Sequence, residues 1–404
     1  MTDTHVPKGS RVRLGAVEGD LHVEKDTTIE AEGTVRVAGD ARFTGNVDII
    51  GDLECRAWES EDGRVRVRGN LTVSDSVRTE SGELEVGGLF RARSVDVDRK
   101  LTLLGPATTE DIEVGGVLDG RSTLTATTIS IGGHLRVAGK IEARSVEAGG
   151  AVELSEVSLD DLEVGGVVRV GGGEVRHKIE VGGKFRSEGP LTFGDFEVGG
   201  FAEFRDTGTG KSIDVGGVMT AGKDLTFDVL EVGGLGDIRG NGKGRDVHIG
   251  GRFSVGGSLD LTGTLEVGGK ATVHGTMQGA DLEIGGKFEA ERAVLSGRAD
   301  VGGVLATRAG LKAATIRLHH RSRATGPLVG GRVELERRAK VEDIYGEVVE
   351  LDRECEARRV VGGDVHLREG TVVEDVVYTR TLTLEKGVRV KNSQKVAVLP
   401  SFPL

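Results

Sequence analysis

A Gly-Gly pair, nearly always preceded by an apolar residue, returns down this chain at an almost constant spacing. Its first glycine falls at Gly115, Gly132, Gly149, Gly165, Gly182, Gly199, Gly216, Gly233, Gly250, Gly268, Gly285 and Gly302. Nine of the eleven intervals are 17 residues, one is 16 and one is 18. A short constant period means one small unit stacked on copies of itself, which is a solenoid. No single unit of this size can bury its own apolar face, so the units fold only as a stack.

Within one period the apolar residues alternate. Between Asp161 and Gly183 they are Leu162, Val164, Val168, Val170, Val175, Ile179 and Val181, separated mostly by single polar residues or glycine. Alternation with a β-branched preference is the strand signature. A 17-residue rung is too short for leucine-rich, ankyrin or tetratricopeptide units and fits a coil of three short strands. Glycine is expected at the corners for two reasons: it reaches positive φ cheaply, and it lets successive rungs approach closely.

Two further markers keep the phase. Gly105-Pro106, Gly189-Pro190 and Gly326-Pro327 each stand seven residues beyond the Gly-Gly register at 98, 182 and 319, although Asp98-Arg99 and His319-His320 replace the glycines at two of these. Proline has no N–H for a ladder and prefers turns, so it marks a second corner. Offset pairs beginning at Gly87, Gly256 and Gly330 fall near one third and two thirds of the period, as a three-sided coil requires. Three residues after a first glycine stand Phe90, Leu118, Leu135, Val168, Phe185, Phe253 and Phe288, the expected internal ladder. The expected fold is therefore all-β, a single long three-sided parallel β-helix. With rungs ~4.8 Å apart, about 22 to 24 of them would make a rod of roughly 100–115 Å.

The rhythm divides the chain into a tail and first strand over 1–18, Gly-Asp and Gly-Asn rungs over 19–98 and regular Gly-Gly rungs over 99–329. Further rungs cover 330–398, and a tail covers 399–404. In the 19–98 stretch the corner is read from Gly19-Asp20, Gly39-Asp40, Gly51-Asp52 and Gly69-Asn70.

Composition narrows the function classes. The 66 glycines are accompanied by only six prolines, an excess driven by corners rather than by disorder or a collagen repeat. A net charge of −12 and 3% aromatic residues speak against a nucleic-acid surface and against stacking platforms for bases or sugars. Cys55 and Cys355 are two lone thiols, expected as buried fillers in a reducing compartment. Residues 1–20 show no signal-peptide pattern and no run is long enough to span a bilayer, so the expected location is cytoplasmic. The Asn70-Leu71-Thr72 sequon matters only on a secretory route.

Several segments imitate chemistry. Gly208-Thr209-Gly210-Lys211-Ser212 ends like a phosphate-binding loop, but Arg205 stands where that motif needs its first glycine and another rung follows instead of a helix. His319-His320 would need further ligands converging in space to hold a metal, and is expected to be a corner substitution. Carboxylate neighbours such as Asp160-Asp161 and Glu110-Asp111 lie on adjacent strand positions, which face opposite sides. The residues after Gly-Gly are not the regular aspartates of calcium-binding coils. No catalytic residue, metal ligand, cofactor, small-molecule substrate or nucleic-acid partner is expected.

A coil of parallel strands leaves an unpaired row of N–H and C=O groups at each end unless it is capped. The first rungs offer Val12, Leu14, Leu21 and Val23; the last offer Leu382, Leu384, Val388, Val390, Val396 and Val398, followed by Phe402 in a Pro-containing tail. These are the candidate self-association residues, with the tail folding back as a cap as the alternative.

Near the carboxy terminus stand Val341-Glu342-Asp343-Ile344-Tyr345-Gly346-Glu347-Val348-Val349-Glu350-Leu351 and Val376-Val377-Tyr378-Thr379-Arg380-Thr381-Leu382-Thr383-Leu384-Glu385-Lys386-Gly387-Val388-Arg389-Val390. This passage, over residues 330–404, resembles the bactofilin, or polymer-forming cytoskeletal, family, and the chain would be an unusually long member. The resemblance implies a right-handed β-helix that polymerises without nucleotide through its ends. It also implies a scaffold role, with the chain itself as partner and protein cargo or the membrane periphery as further ones. Competing readings are an extracellular adhesin or surface rod, and an acyltransferase or carbohydrate-active enzyme on a β-helix. The enzymes need a six-residue aliphatic-glycine step or long cleft-building loops, and the unbroken 17-residue spacing leaves little room for either.

Overall fold

The computed structural model describes residues 2–403 and contains no helix among them. Its parallel strands wind a β-solenoid of about 23 turns with about 17 residues each. The strands fall into two compact units, residues 1–199 and 200–404.

In residues 1–199 a representative turn runs Leu162–Val164 on the first face, Val168–Val170 on the second and Val175 on the third, then returns to the first face at Ile179–Val181. Registers are parallel and direct: Leu162 pairs with Ile179, Val168 with Phe185 and Val175 with Phe193. In residues 200–404 the same order is kept by Leu230–Val232, Gly236–Ile238 and Gly242–Gly244, which pair with Val247–Ile249, Phe253–Val255 and Leu259–Leu261. Strand geometry turns alternate residues inward, so Leu162, Val164, Val168 and Val170 are all at most 1% exposed while the residues between them face solvent.

Internal ladders follow. Leu118, Leu135, Val168, Phe185, Phe253 and Phe288 lie buried on the second face. Phe90 is equally buried but stands on the third face, where it pairs with Leu71 and Ala107, because the Gly87-Gly88 pair belongs to a different corner. Large rings are fitted by leaving inward positions of adjacent rungs empty. A Cβ at Gly236 would meet the Phe253 ring at 3.0 Å, and one at Gly244 would meet the Phe227 ring at 2.3 Å.

The Gly-Gly pairs turn the corner between the first and second faces, and their glycine has one of the two expected causes. None of them carries a positive φ. A Cβ on Gly150 would lie 2.4 Å from the Gly133 carbonyl oxygen, and one on Gly251 would lie 2.3 Å from that of Gly234. Close rung-to-rung approach, not the left-handed conformation, is what demands glycine there. Positive φ at this corner occurs elsewhere: at Gly9, Asp26, Gly45, Gly63 and Ser81 in the first unit, and at Arg321, Arg338, Glu354, Gly370 and Gly387 in the second.

The Gly-Pro pairs mark the second-to-third corner, as Pro106 and Pro190 accept hydrogen bonds from Phe90 and Gly173. The Gly-Asp and Gly-Asn pairs are not one corner. Gly19 and Gly39 stack on each other between the third and first faces, whereas Gly51 and Gly69 stack on each other between the second and third. The irregular 12-residue interval between Gly39 and Gly51 is thus a step from one corner to another.

Acidic and amide side chains hold these corners together. The Asp52 Oδ1 accepts from the Asn70 backbone N–H at 2.8 Å, and the Asn70 Oδ1 accepts from that of Leu89 at 2.7 Å. Asp224, Asn241 and Ser258 repeat the relay in the second unit, at 2.7 and 2.9 Å. The carboxylate neighbours that imitate catalytic pairs in sequence are spent on the walls instead, Asp160 on Arg176 at 2.5 Å and Glu110 on Arg93 at 3.3 Å, while the corner carboxylates accept from amides that would otherwise lack partners.

Candidate interaction surfaces

The outer walls carry ion pairs that run from rung to rung. Arg36 reaches Glu54 at 3.2 Å, Arg42 reaches Glu59 at 2.8 Å, and Arg358 reaches Asp343 at 2.6 Å. Lys178 bridges Glu180 at 2.8 Å and Glu197 at 3.0 Å, which together hold its ammonium well above the usual lysine range. Exposed pairs of this kind contribute little each, ~0–1 kcal/mol, so their organised effect is to relieve like charge along a wall.

Glu289 illustrates it. Hydrogen bonds from Lys270, at 2.7 Å, and from Lys287 hold its carboxyl at about 2, below its ordinary 4.5. A carboxyl depressed on folding adds stability above its unfolded value, and that stability is lost as pH falls through the folded one. Glu289→Gln should therefore flatten part of the loss in thermal midpoint between about pH 4.5 and 2, without changing the midpoint's course above pH 6. Thermal melts followed by circular dichroism at stepped pH check this. An unchanged acid limb would contradict the assigned ion pairs.

The motif look-alikes are absorbed by the coil. Gly208–Thr209 and Ser212–Val215 are strands on successive faces, so no helix N-terminus follows the phosphate-loop-like segment. His319 sits between Asp300 and Glu336, the latter at 3.3 Å. No group of three or more potential metal ligands converges among the described residues. Cys55 and Cys355 are buried and unpaired, and burial pushes their thiols up to about 12 and about 11. No helix among the described residues is long and apolar enough to cross a membrane.

At the amino-terminal end the outermost turn is built from Thr4–Val6, Arg11–Leu14 and Ala16–Val17. Val12 and Leu14 are half-buried there and pair on one side only, with Ile29 and Ala31. Leu21 and Val23 lie one turn further in. They are 0% and 2% exposed and pair with Thr4 and Val6 on one edge and Ala41 and Phe43 on the other, so they support the end rather than form it.

At the carboxy-terminal end the outermost turn is Leu382–Leu384 followed by Arg389–Lys395. Leu382 and Leu384 pair with Val365 and Leu367 on their inner edge, and Leu384 is 50% exposed. Val390 pairs with Val373 and is half-buried, as is Val388. Val396 donates its N–H to the Tyr378 carbonyl at 2.8 Å, and Val398 is 81% exposed. Phe402 does not cover this end: its ring lies 5.7 Å from that of Tyr345, which belongs to the side wall of the third face. The position of Leu404 lies outside the described residues.

Sequence reasoning missed two features of these surfaces. One is a shallow groove of about 610 Å³ on the outer third face near the amino terminus, spanning Ala16–Glu18, Arg36–Ala38, Glu54–Arg56 and Thr72–Ser74. The other is the Tyr345–Phe402 contact. The small residues Ala16 and Ala38 at outward positions were the available signal for the groove. Comparison with known proteins adds nothing to this geometry, since no family model, curated protein or solved structure matches the chain.

Proposed function

We propose that this chain is a non-enzymatic structural protein, a rigid β-helical rod that associates with copies of itself end to end into filaments without nucleotide. In this reading it is a cytoplasmic scaffold, with protein cargo or the membrane periphery as further partners. The observation that carries it is the pairing of apolar side chains with free strand edges at Val12 and Leu14 and at Leu382, Leu384 and Val390. An exposed edge beside apolar surface is a template for another copy of the same strand row. The resemblance of residues 330–404 to bactofilins favours the same reading. So does the use of ionisable groups, which are spent on corner amides and rung-to-rung pairs rather than gathered at a cleft.

Sedimentation velocity in nucleotide-free buffer tests it. The unaltered chain should form large species whose size rises with concentration. The Leu382→Arg, Leu384→Arg double variant should stay at one chain, with an unchanged circular dichroism spectrum. Equal assembly of variant and parent would exclude this end as the contact.

A further inference from the structure

The groove at the amino-terminal turns and the tail at the carboxy terminus occupy the same place on the turn of the coil. The groove follows the third face and its exit toward the first, over four successive turns. The tail leaves a third-face strand at Lys395. If the last turn of one copy continues into the first turn of the next, strand rows meet face to face, and the tail emerges directly beside the groove.

Charge favours that polarity over stacking two carboxy-terminal ends. Residues 381–395 carry Lys386, Arg389, Lys391 and Lys395 with Glu385 as the one carboxylate. Two such turns placed together repel. The first turn carries Lys8, Arg11 and Arg13 with Asp3 and Glu18, and Glu30 of the next turn holds both arginines, so three cations stand with three carboxylates and the basic turn meets no excess of cations.

Tail and groove also match in chemistry. Residues 396–403 contain no charged side chain. In the groove the cations are already paired, Arg36 with Glu54 at 3.2 Å and Arg56 with Asp40 at 2.8 Å, and Ala16 and Ala38 leave space between them. Eight extended residues reach roughly 26 Å, and the four rung steps of ~4.8 Å from Lys395 to the far turn of the groove need only about 19 Å. Within its own chain the tail is held by the Val396 N–H to the Tyr378 carbonyl at 2.8 Å and by the Phe402–Tyr345 ring contact, and it keeps Val398 in solvent.

We infer that residues 396–403 are a strap: on head-to-tail stacking they leave Tyr345 and lie in the outer groove of the next copy's amino-terminal turns. The inference rests on the end-to-end reading above and adds its polarity and its clasp.

Single variants Ala38→Cys and Val398→Cys, both at exposed positions, are mixed, allowed to assemble and oxidised with copper phenanthroline. The strap predicts a covalent dimer joining one chain of each kind, seen on non-reducing gels, and little product from either variant alone. A chain ending at Lys395 should need about tenfold more protein to assemble while melting at the same temperature. Assembled material without the mixed dimer, or dimers formed by Val398→Cys alone, would overturn the strap and leave end-to-end association standing. Failure of the unsubstituted chain to sediment would instead remove the end-to-end reading itself.

Discussion

Replacing Gly251 by valine should lower the unfolding midpoint sharply, with a cost of about 3 kcal/mol or more. The reason is steric and local. A Cβ at this position lies 2.3 Å from the Gly234 carbonyl oxygen and 3.2 Å from its carbon, and both belong to the backbone of the rung below. A flexible side chain could move aside; a laddered carbonyl cannot without breaking rung pairing. Gly15→Ala is the matching control. Nothing lies within 4 Å of a Cβ built there and its φ is not positive, so its melt should stay within about 0.5 kcal/mol of the parent. Urea or thermal titration by circular dichroism checks both. Equal behaviour of the two variants would mean that the Gly-Gly corners are not sterically required.

Trp58→Ala should cost about 3–5 kcal/mol, the range for emptying a fully buried aromatic site. Trp58 is 0% exposed and its ring centroid lies 4.2 Å from that of Phe43 on the rung below. Its indole N–H donates to the Ser60 hydroxyl at 3.2 Å, which in turn donates to that of Thr79 at 2.9 Å. Truncation removes both the packing and the donor at the head of this buried relay. Trp58→Phe keeps most of the volume and loses only the donor, so a smaller cost of about 1–2 kcal/mol is expected. Circular dichroism must follow both, since this is the one tryptophan in the chain. Equal costs for the two variants would place the whole effect in the hydrogen bonds.

Periodicity made the turn legible because each rung repeats one physical requirement. The run from Gly115 to Gly302 carries the steric need for close approach, and Gly-Pro carries the need for a turn without an amide donor. Dipeptides lacking such a unique cause were ambiguous. Gly-Asp serves the third-to-first corner at Gly19 and Gly39 and the second-to-third corner at Gly51, because an acidic side chain can accept from a corner amide at either place. Left-handed Arg321, Arg338 and Glu354 were illegible for a different reason. A charged residue in that conformation is disfavoured locally and is held there by the rungs around it. At the ends, hydrophobicity identified candidate residues but not their order. Leu14 and Leu21 look alike in sequence, and only the register places Leu14 on the outermost turn and Leu21 beneath it. The apolar Phe402 in a Pro-containing tail suggests an end contact or a cap, but its ring partner Tyr345 lies 57 residues earlier in sequence, beyond the reach of any local pattern.

Electron microscopy of the purified 404-residue chain, without nucleotide and over a range of concentrations, tests the central claim most directly. The account predicts unbranched filaments one coil wide that lengthen as concentration rises. A field of isolated short particles at every concentration would contradict it.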